Sequence, residues 1–212
     1  MGIYARRILP HLTDWTMQND EAARYRALVV PHARGLVLEV GAGSGLNLPF
    51  YGSAVERLTA LDPSPELLHK ARKRARGTQF PVEFVEGGAE QIPLADHSVD
   101  SVVMTWTLCS IAHPERALAE IRRVLKPDGV LWFAEHGLAP QRRVAAFQAC
   151  FTPLWARFSG GCHLDRKTDD LLVAAGFRLE DLVTEYAKGP RIFSYQYSGR
   201  ARLNVFSTVA GL

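Results

Sequence analysis

Cysteine is scarce in this 212-residue chain: Cys109, Cys150 and Cys162 are its only three, and no two form a C-x-x-C pair. An odd, sparse set builds no disulfide framework and suits a reducing compartment. No apolar run is long enough to span a bilayer, and Met1 to Asp20 lacks the apolar stretch of a signal peptide. The expectation is a cytoplasmic protein with no membrane anchor. Internal repeats and low-complexity tracts are also missing. Charge of one sign is in short supply, the formal net charge being +3, too little to argue for a nucleic-acid partner. The one basic concentration, Lys70 to Arg76, has no aromatic neighbours on which bases would stack, and it reads as the wet face of a helix ending near Gly77.

What is present is ordinary globular material, 47% hydrophobic and 22% charged, long enough for one domain with a sizeable core. A helix is predicted from Thr16 to about Val30, where Pro31 ends it. Leu36–Val40 and Leu58–Leu61 are short apolar runs that read as buried strands. Pro65 to Arg76 follows as a helix, with Ser64 at the capping position and Pro65 at the first turn. Val82 to Val85, Val99 to Thr105 and Val130 to Glu135 are further strands. A helix from about Pro114 to Leu125 precedes the last of these, stopped by a turn at Lys126-Pro127-Asp128-Gly129. Strands alternating with helices predict an α/β fold, a parallel sheet covered on both faces. After Pro140 come helices over Val144 to Phe158 and Arg166 to Ala175, then two strands, Phe177 to Tyr186 and Ile192 to Tyr197. The short connection at Lys188-Gly189-Pro190 permits only an antiparallel pair. Asn204 to Leu212 carry no signal. The expected organisation is a single domain over 1–212, with a helical cap (1–34), a core (35–136), a helical insertion (137–176) and a C-terminal hairpin (177–203).

The most informative stretch is Glu39-Val40-Gly41-Ala42-Gly43-Ser44-Gly45-Leu46-Asn47, directly after the first strand. Alternate glycines let the backbone turn sharply and approach a ligand without a Cβ in the way, at the carboxyl edge of the sheet where such folds bind ligands. A dinucleotide usually takes G-x-G-x-x-G, with its pyrophosphate on a helix N-terminus. Here the third glycine comes one position early, and a carboxylate stands two residues before the first. That combination favours a ligand with a positive sulfonium and an amino group, while a nicotinamide oxidoreductase remains the rival on fold grounds. Asp62, about 20 residues beyond the first glycine, ends the second strand where ribose hydroxyls would meet it. Its simpler role is a turn before Pro63.

In order along the chain stand L-E-V-G-A-G-S-G (Leu38 to Gly45), L-D-P-S-P (Leu61 to Pro65), G-G-A-E-Q-I-P (Gly87 to Pro93), S-V-D-S-V-V (Ser98 to Val103) and L-K-P-D-G-V (Leu125 to Val130). Together they resemble the class I S-adenosylmethionine-dependent methyltransferases from about Leu36 to His136. The resemblance implies a Rossmann-like, seven-stranded, mostly parallel sheet with an antiparallel last strand. It also implies S-adenosylmethionine as donor and S-adenosylhomocysteine as product. Carried over residue by residue, Gly41, Ala42, Gly43 and Asn47 would serve the methionine half of the donor and Asp62 its ribose, with Glu39, the carboxylate before the loop, also counted as cofactor-binding. Pro63 would lie against the adenine, with Gly88, Ala89 and Glu90 along its edge, and Thr105 and Trp106 would stand near the sulfonium. Many relatives carry Asp at Gly88, so the adenine contact here would fall to backbone, water or Glu90. A narrower resemblance, to the alkyl thiol methyltransferases of animals, rests on Thr107-Leu108-Cys109-Ser110, Phe133-Ala134-Glu135-His136 and Gly161-Cys162-His163-Leu164-Asp165-Arg166. Those proteins have an apolar N-terminal anchor that this chain lacks. Ubiquinone and menaquinone C-methyltransferases share the core motifs but match less well after Glu135.

The expected function is methyl transfer to a small, fairly apolar acceptor, a thiol first and a quinone or phenol next. A protein that binds the donor without catalysis is the remaining alternative. No N-P-P-Y type motif follows the fourth strand, where Thr105-Trp106-Thr107-Leu108 stands, which argues against a flipped nucleic-acid base. His136 is the candidate base, or else a structural residue of the turn. His113 reads first as a helix cap or an exposed residue, and otherwise as a residue facing the same cleft as His136. Cys162-His163 reads either as a reactive pair or as a packed thiol beside a surface histidine. No ligand spacing suggests a metal. Phe147, Phe151, Trp155 and Phe158 recur at helical spacing, either as core or as the wall of an acceptor pocket. Trp15 and Tyr25 read either as a lid over the donor or as surface packing. Nothing in the pattern singles out an oligomeric state.

Overall fold

The computed structural model describes residue 4 and residues 8–204. Seven strands form one sheet: β1 (Gly35–Val40), β2 (Val55–Asp62), β3 (Val82–Glu86), β4 (Val99–Thr105), β5 (Leu125–His136), β6 (Phe177–Tyr186) and β7 (Tyr195–Leu203). Their order is β3-β2-β1-β4-β5-β7-β6. The pairs among β1 to β5 are parallel, and β7 runs antiparallel to both β5 and β6. The Rossmann-like sheet with an antiparallel last strand is therefore the fold observed.

Successive residues of a strand point to opposite faces, and the core divides accordingly. Leu38, Val40, Val102, Met104, Leu131 and Phe133 join one apolar cluster, with Ala117, Leu118, Ile121 and Leu172 of the helices α4 (Pro114–Val124) and α6 (Thr168–Ala174). Val37, Val103 and Ala134 join the other, with Tyr25 and Val29 of α2 (Asp20–Val29). Both faces are thus covered, which is why the central strands read as unbroken apolar runs.

The structure corrects several expected boundaries. The helix expected from Thr16 starts only at Asp20, as α2, because Asn19 leaves the helical conformation and its side chain accepts the Ala22 N–H at 2.8 Å, and a helix that was not expected, α1 (Leu9–Thr16), precedes it. In α3 (Pro65–Arg74), Ser64 accepts the Leu67 N–H as expected, and the chain tightens to a 3-10 turn over Ala75–Gly77. Lys126 to Gly129 does not end α4 before a separate strand. It forms an irregularity inside β5, where pairing with β4 passes from Val99↔Leu125 to Ser101↔Val130. The helix α5 (Arg142–Phe158) begins slightly earlier than expected. The second strand of the C-terminal pair starts later, because Arg191–Ser194 forms a short helical turn, α7, before β7. Of the C-terminal stretch Asn204 to Leu212, everything after Asn204 lies outside the described residues.

Among the described residues, no helix is long and apolar enough to cross a membrane. Ile121 is fully buried between α4 and the sheet. Ile121→Ala should cost about 2–5 kcal/mol of folding stability, read as a lowered urea midpoint with an unchanged m-value.

Candidate functional site

The strand order reverses between β1 and β4, and the glycine-rich loop leaves β1 at that point. In open α/β sheets this is where ligands bind. Gly41 lies at φ 72°, and a Cβ there would stand 2.1 Å from Thr107 Oγ1, so both backbone conformation and space demand glycine. The first loop amides are engaged internally. Gly41 and Ala42 donate to Leu61 O at 2.9 and 3.0 Å, and Gly43 N donates to Asp62 Oδ2 at 2.8 Å. The chain then enters a 3-10 turn over Leu48–Phe50; no α-helix N-terminus opens toward the crevice from this loop.

Beneath the loop, Glu39 is 2% exposed. Its Oε1 accepts from Asn47 Nδ2 at 2.9 Å and its Oε2 from the Tyr51 hydroxyl at 2.9 Å. Asn47 donates as well to Thr105 Oγ1 at 3.0 Å, and its Oδ1 accepts from Arg26 Nε at 3.0 Å. Burial pushes the Glu39 carboxyl up to about 7, against the pull of Tyr51 and Asn47. Burial also lowers the Arg26 guanidinium to about 10. Asp62 is buried and raised for the same reason. Its Oδ1 accepts from Ser64 N at 2.8 Å, so it joins the first turn of α3 to the glycine loop.

The fold brings Glu39, Gly41, Ala42, Gly43, Asn47, Asp62, Thr105 and Trp106 together at the carboxyl edge of the sheet, joined by the Gly43–Asp62, Asn47–Glu39 and Asn47–Thr105 hydrogen bonds and by Arg26 between Asn47 and Trp106. Pro63 is exposed beside Asp62. Gly88, Ala89 and Glu90 lie in the loop after β3. Gly88 and Glu90 line an open cleft of about 720 Å3 whose far wall is Glu120 and Arg123. Ala89 is buried in the core. A Cβ on Gly88 would meet Glu90 Oε2 at 2.9 Å, so the Glu90 carboxylate occupies the space where an aspartate side chain would start.

Several expected roles change. Trp15 is 74% exposed while Tyr25 is 1% exposed, its hydroxyl on Glu185 at 3.0 Å, so the two do not form one lid. The basic run is not simply solvated: Lys70 and Arg74 each hold Asp14 of α1 at 2.9 Å, and Arg74 donates to Ser44 O at 2.6 Å. Burial would raise Asp14, but hydrogen bonds from Ser44, Lys70 and Arg74 outweigh it and bring the carboxyl to about 2. His113 takes one of the two roles expected for it: it is exposed, and its side chain caps nothing. Phe147 and Phe158 are exposed, whereas Phe151 and Trp155 pack with Phe193 against Cys109, Cys162 and Leu164. Cys162 does not pair with His163, whose Nδ1 faces Gly161 O. It pairs with His136, Nε2 to Sγ at 3.0 Å. The fold also gathers a donor group that ligand spacing did not suggest: ligand atoms of Cys109, His136 and Cys162 all lie within 4.8 Å of one another. Sequence spacing concealed this because the three belong to separate segments.

Arg26 was missed for a similar reason. Its guanidinium sits 5.1 Å over the Trp106 ring and donates to Asn47, contacts across a long sequence gap. The small-residue and charge alternation of α2 held no signal for them.

The sheet order and the crevice at its crossover define a Rossmann-like α/β fold, and solved structures share it. The [4+2]-cyclase SpnF superposes with a TM-score of 0.69 at 20% identity, over 95% of this chain and 94% of that one. The Burkholderia thailandensis 1,6-didemethyltoxoflavin-N1-methyltransferase, solved with S-adenosylhomocysteine, gives 0.68 at 17% identity over 92% and 83%. At the sequence level, a methyltransferase domain family matches residues 38–133. The phosphatidylethanolamine N-methyltransferase of Cereibacter sphaeroides is 32% identical over 69% of this chain and 72% of its own length. The human thiol S-methyltransferase TMT1B is 41% identical over 62% of this chain. The aligned region spans 55% of TMT1B, about half its length. The chain belongs to the S-adenosylmethionine-dependent methyltransferase family.

Because the folded value of Glu39 lies above the ordinary 4.5, the native protein holds that proton more tightly than the unfolded chain. Its stabilising effect is complete below pH 4.5 and is lost as pH rises through about 7. Glu39→Gln, neutral throughout, should reduce the fall in stability across that window in urea melts at a series of pH values. Glu135, raised by burial to about 7, should supply the slope that remains.

Proposed function

We propose that the protein transfers a methyl group from S-adenosylmethionine to a small, fairly apolar acceptor, with a thiol as the preferred class. The supporting observation is the glycine loop itself. The Gly41, Ala42 and Gly43 amides are engaged by Leu61 O and Asp62, and the loop leads into a 3-10 turn. A diphosphate would therefore find these three amides already occupied and no α-helix N-terminus opening from the loop. A cationic sulfonium carrier needs neither free amides nor a helix N-terminus, and it is favoured by the acidic groups around the crevice. In this assignment the bare backbone at Gly41, Ala42 and Gly43 takes the methionine half. Asp62 accepts from the ribose hydroxyls, and Pro63 with Gly88, Ala89 and Glu90 borders the adenine. Glu39 and Asn47 act as positioning residues, since their polar atoms are already engaged beneath the loop.

Methyl transfer from a sulfonium is an in-line displacement with an activated donor, so the protein's task is alignment and exclusion of water. Thr105 and Trp106 border the sulfonium, and the Trp106 ring is fixed by Nε1 donating to Gln196 Oε1 at 3.0 Å and by Arg26 over its face. The aromatic cluster of Phe151, Trp155 and Phe193 supplies the apolar acceptor side. A thiol reacts as its thiolate and needs no strong base, which fits a His136 whose Nε2 is directed at Cys162. The similarity to thiol S-methyltransferases favours this acceptor over the quinone class suggested by the Renibacterium salmoninarum demethylmenaquinone methyltransferase.

Titration calorimetry should show S-adenosylhomocysteine binding, weakened about tenfold or more by Asp62→Ala, an order consistent with losing charge-assisted hydrogen bonds. Isotope from labelled donor should then appear in an alkyl thiol within a panel of thiols, phenols, quinones and amines. Nicotinamide binding with no response to S-adenosylhomocysteine would overturn the donor assignment. Label in quinones or phenols alone would overturn the acceptor class.

A further inference from the structure

Two of the chain's three cysteines meet one histidine at a single point. Cys109 follows β4, His136 ends β5 and Cys162 lies in the loop after α5, yet their ligand atoms are all within 4.8 Å of one another. Both cysteines are buried and free, while Cys150 is exposed. The loop carrying Cys162 is clamped onto the segment carrying Cys109. His163 N donates to Cys109 O at 2.8 Å and Arg166 donates to Leu108 O, while Leu164 N donates to Thr152 Oγ1 at 3.3 Å and ties the loop to α5. Gly161 reaches this approach at φ 90°, where a Cβ would stand 3.1 Å from Ser110 O. Around the sulfurs, Trp155 Nε1 donates to Cys162 Sγ at 3.3 Å, a contact suited to a thiolate. Glu135 Oε1 accepts from Thr107 N at 2.8 Å and Leu108 N at 3.1 Å, fixing the turn that bears Cys109. Its Oε2 is buried with no hydrogen-bond partner, placing an acidic group beside the cluster.

We propose that Cys109, His136 and Cys162 bind one zinc-class divalent cation, whose remaining coordination position accepts the sulfur of a thiol acceptor. Two thiolates and an imidazole are borderline-soft donors of the type zinc selects, and two thiolates neutralise the dication in a buried setting. Zinc–sulfur bonds of about 2.3 Å and zinc–nitrogen bonds of about 2.0 Å put tetrahedral ligands roughly 3.5–3.8 Å apart. The cluster therefore needs only small side-chain adjustments, the His136–Cys162 contact opening slightly. Three protein donors leave a fourth position to a non-protein ligand. The site is close to the methyl donor's expected place. His136 is paired across the sheet with Gln196, and Gln196 also receives the Trp106 indole N–H.

The acceptor role rests on the function proposed above. An incoming thiol gives its proton to solvent as its sulfur joins the metal. A sulfur lone pair then forms the new S–CH3 bond while the sulfonium–methyl bond breaks, its electron pair staying on the departing S-adenosylhomocysteine. The thioether produced is a weak ligand and leaves, and the metal keeps its charge throughout.

The test uses the full chain purified under reducing conditions, with elemental analysis and cobalt(II) reconstitution. About one zinc per chain is expected. The cobalt form should show thiolate charge-transfer absorption, and adding ethanethiol should shift it. Cys109→Ser and Cys162→Ser should weaken metal binding more than a hundredfold, while Cys150→Ser should not change it. S-adenosylhomocysteine binding, measured on every variant, reports folding and the donor site independently, so its loss would count against the donor assignment and not against the metal. Failure to take up zinc or cobalt in reduced protein that binds S-adenosylhomocysteine would overturn the site, as would a Cys109–Cys162 disulfide in freshly purified chain. Bound cobalt whose spectrum ignores ethanethiol would overturn the acceptor role.

Discussion

The crevice depends on one buried group, the Glu39 carboxylate. It stands near the end of β1 with a strand on either side, so it cannot be reached by bulk water and must be satisfied from within. Asn47 and Tyr51 do this from the two sides of the glycine loop's exit. In doing so they fold the loop back over the strand that produced it. Asn47 then carries the constraint outward, to Thr105 at the end of β4 and to Arg26 in α2. A single acidic side chain in the sheet thereby fixes the relative positions of loop, neighbouring strand and covering helix. The carboxylate's nearness to the loop, which suggests direct ligand binding in the sequence, serves in the fold to hold the loop's shape.

A second tie acts from the open side. Asp14 of α1 receives Lys70 and Arg74 of α3 and the hydroxyl of Ser44 within the glycine loop, so the leading helix is joined to the crevice by charge. With side chains between 12% and 29% exposed, these ion pairs retain some screening and contribute less than their geometry suggests. Their importance lies in placement. They bring α1 against the Gly-rich turn, where a ligand would enter.

On the other flank, the ends of β4 and β5 and the loop after α5 converge on sulfur and imidazole. This region shares the Gln196 contact with Trp106 and stands beside the aromatic cluster of Phe151, Trp155 and Phe193. The carboxyl edge of the sheet is thus differentiated. The β1 and β2 side is acidic and lined by bare backbone, and the β4 and β5 side is apolar and soft. A cationic carrier and an apolar nucleophile would each find complementary surroundings within one crevice.

The sequence by itself determined the alternation of elements, since strands buried on both faces must be apolar throughout and the helices between them need caps and stops. Ser64 and Pro65, and the glycine turn after Val40, were therefore legible as local chemistry. So was the antiparallel end of the sheet, because the short link at Lys188-Gly189-Pro190 allows no crossover. The break between α1 and α2 was hidden because a capping asparagine inside a helical pattern looks like any polar surface residue. What only the tertiary structure decided is which distant groups meet: Arg26 with Asn47 and Trp106, Asp14 with Lys70 and Arg74, and His136 with Cys109 and Cys162. These encounters join segments far apart in sequence, and no local periodicity encodes them. They arise when sheet order and loop paths carry separate chain segments to a common edge.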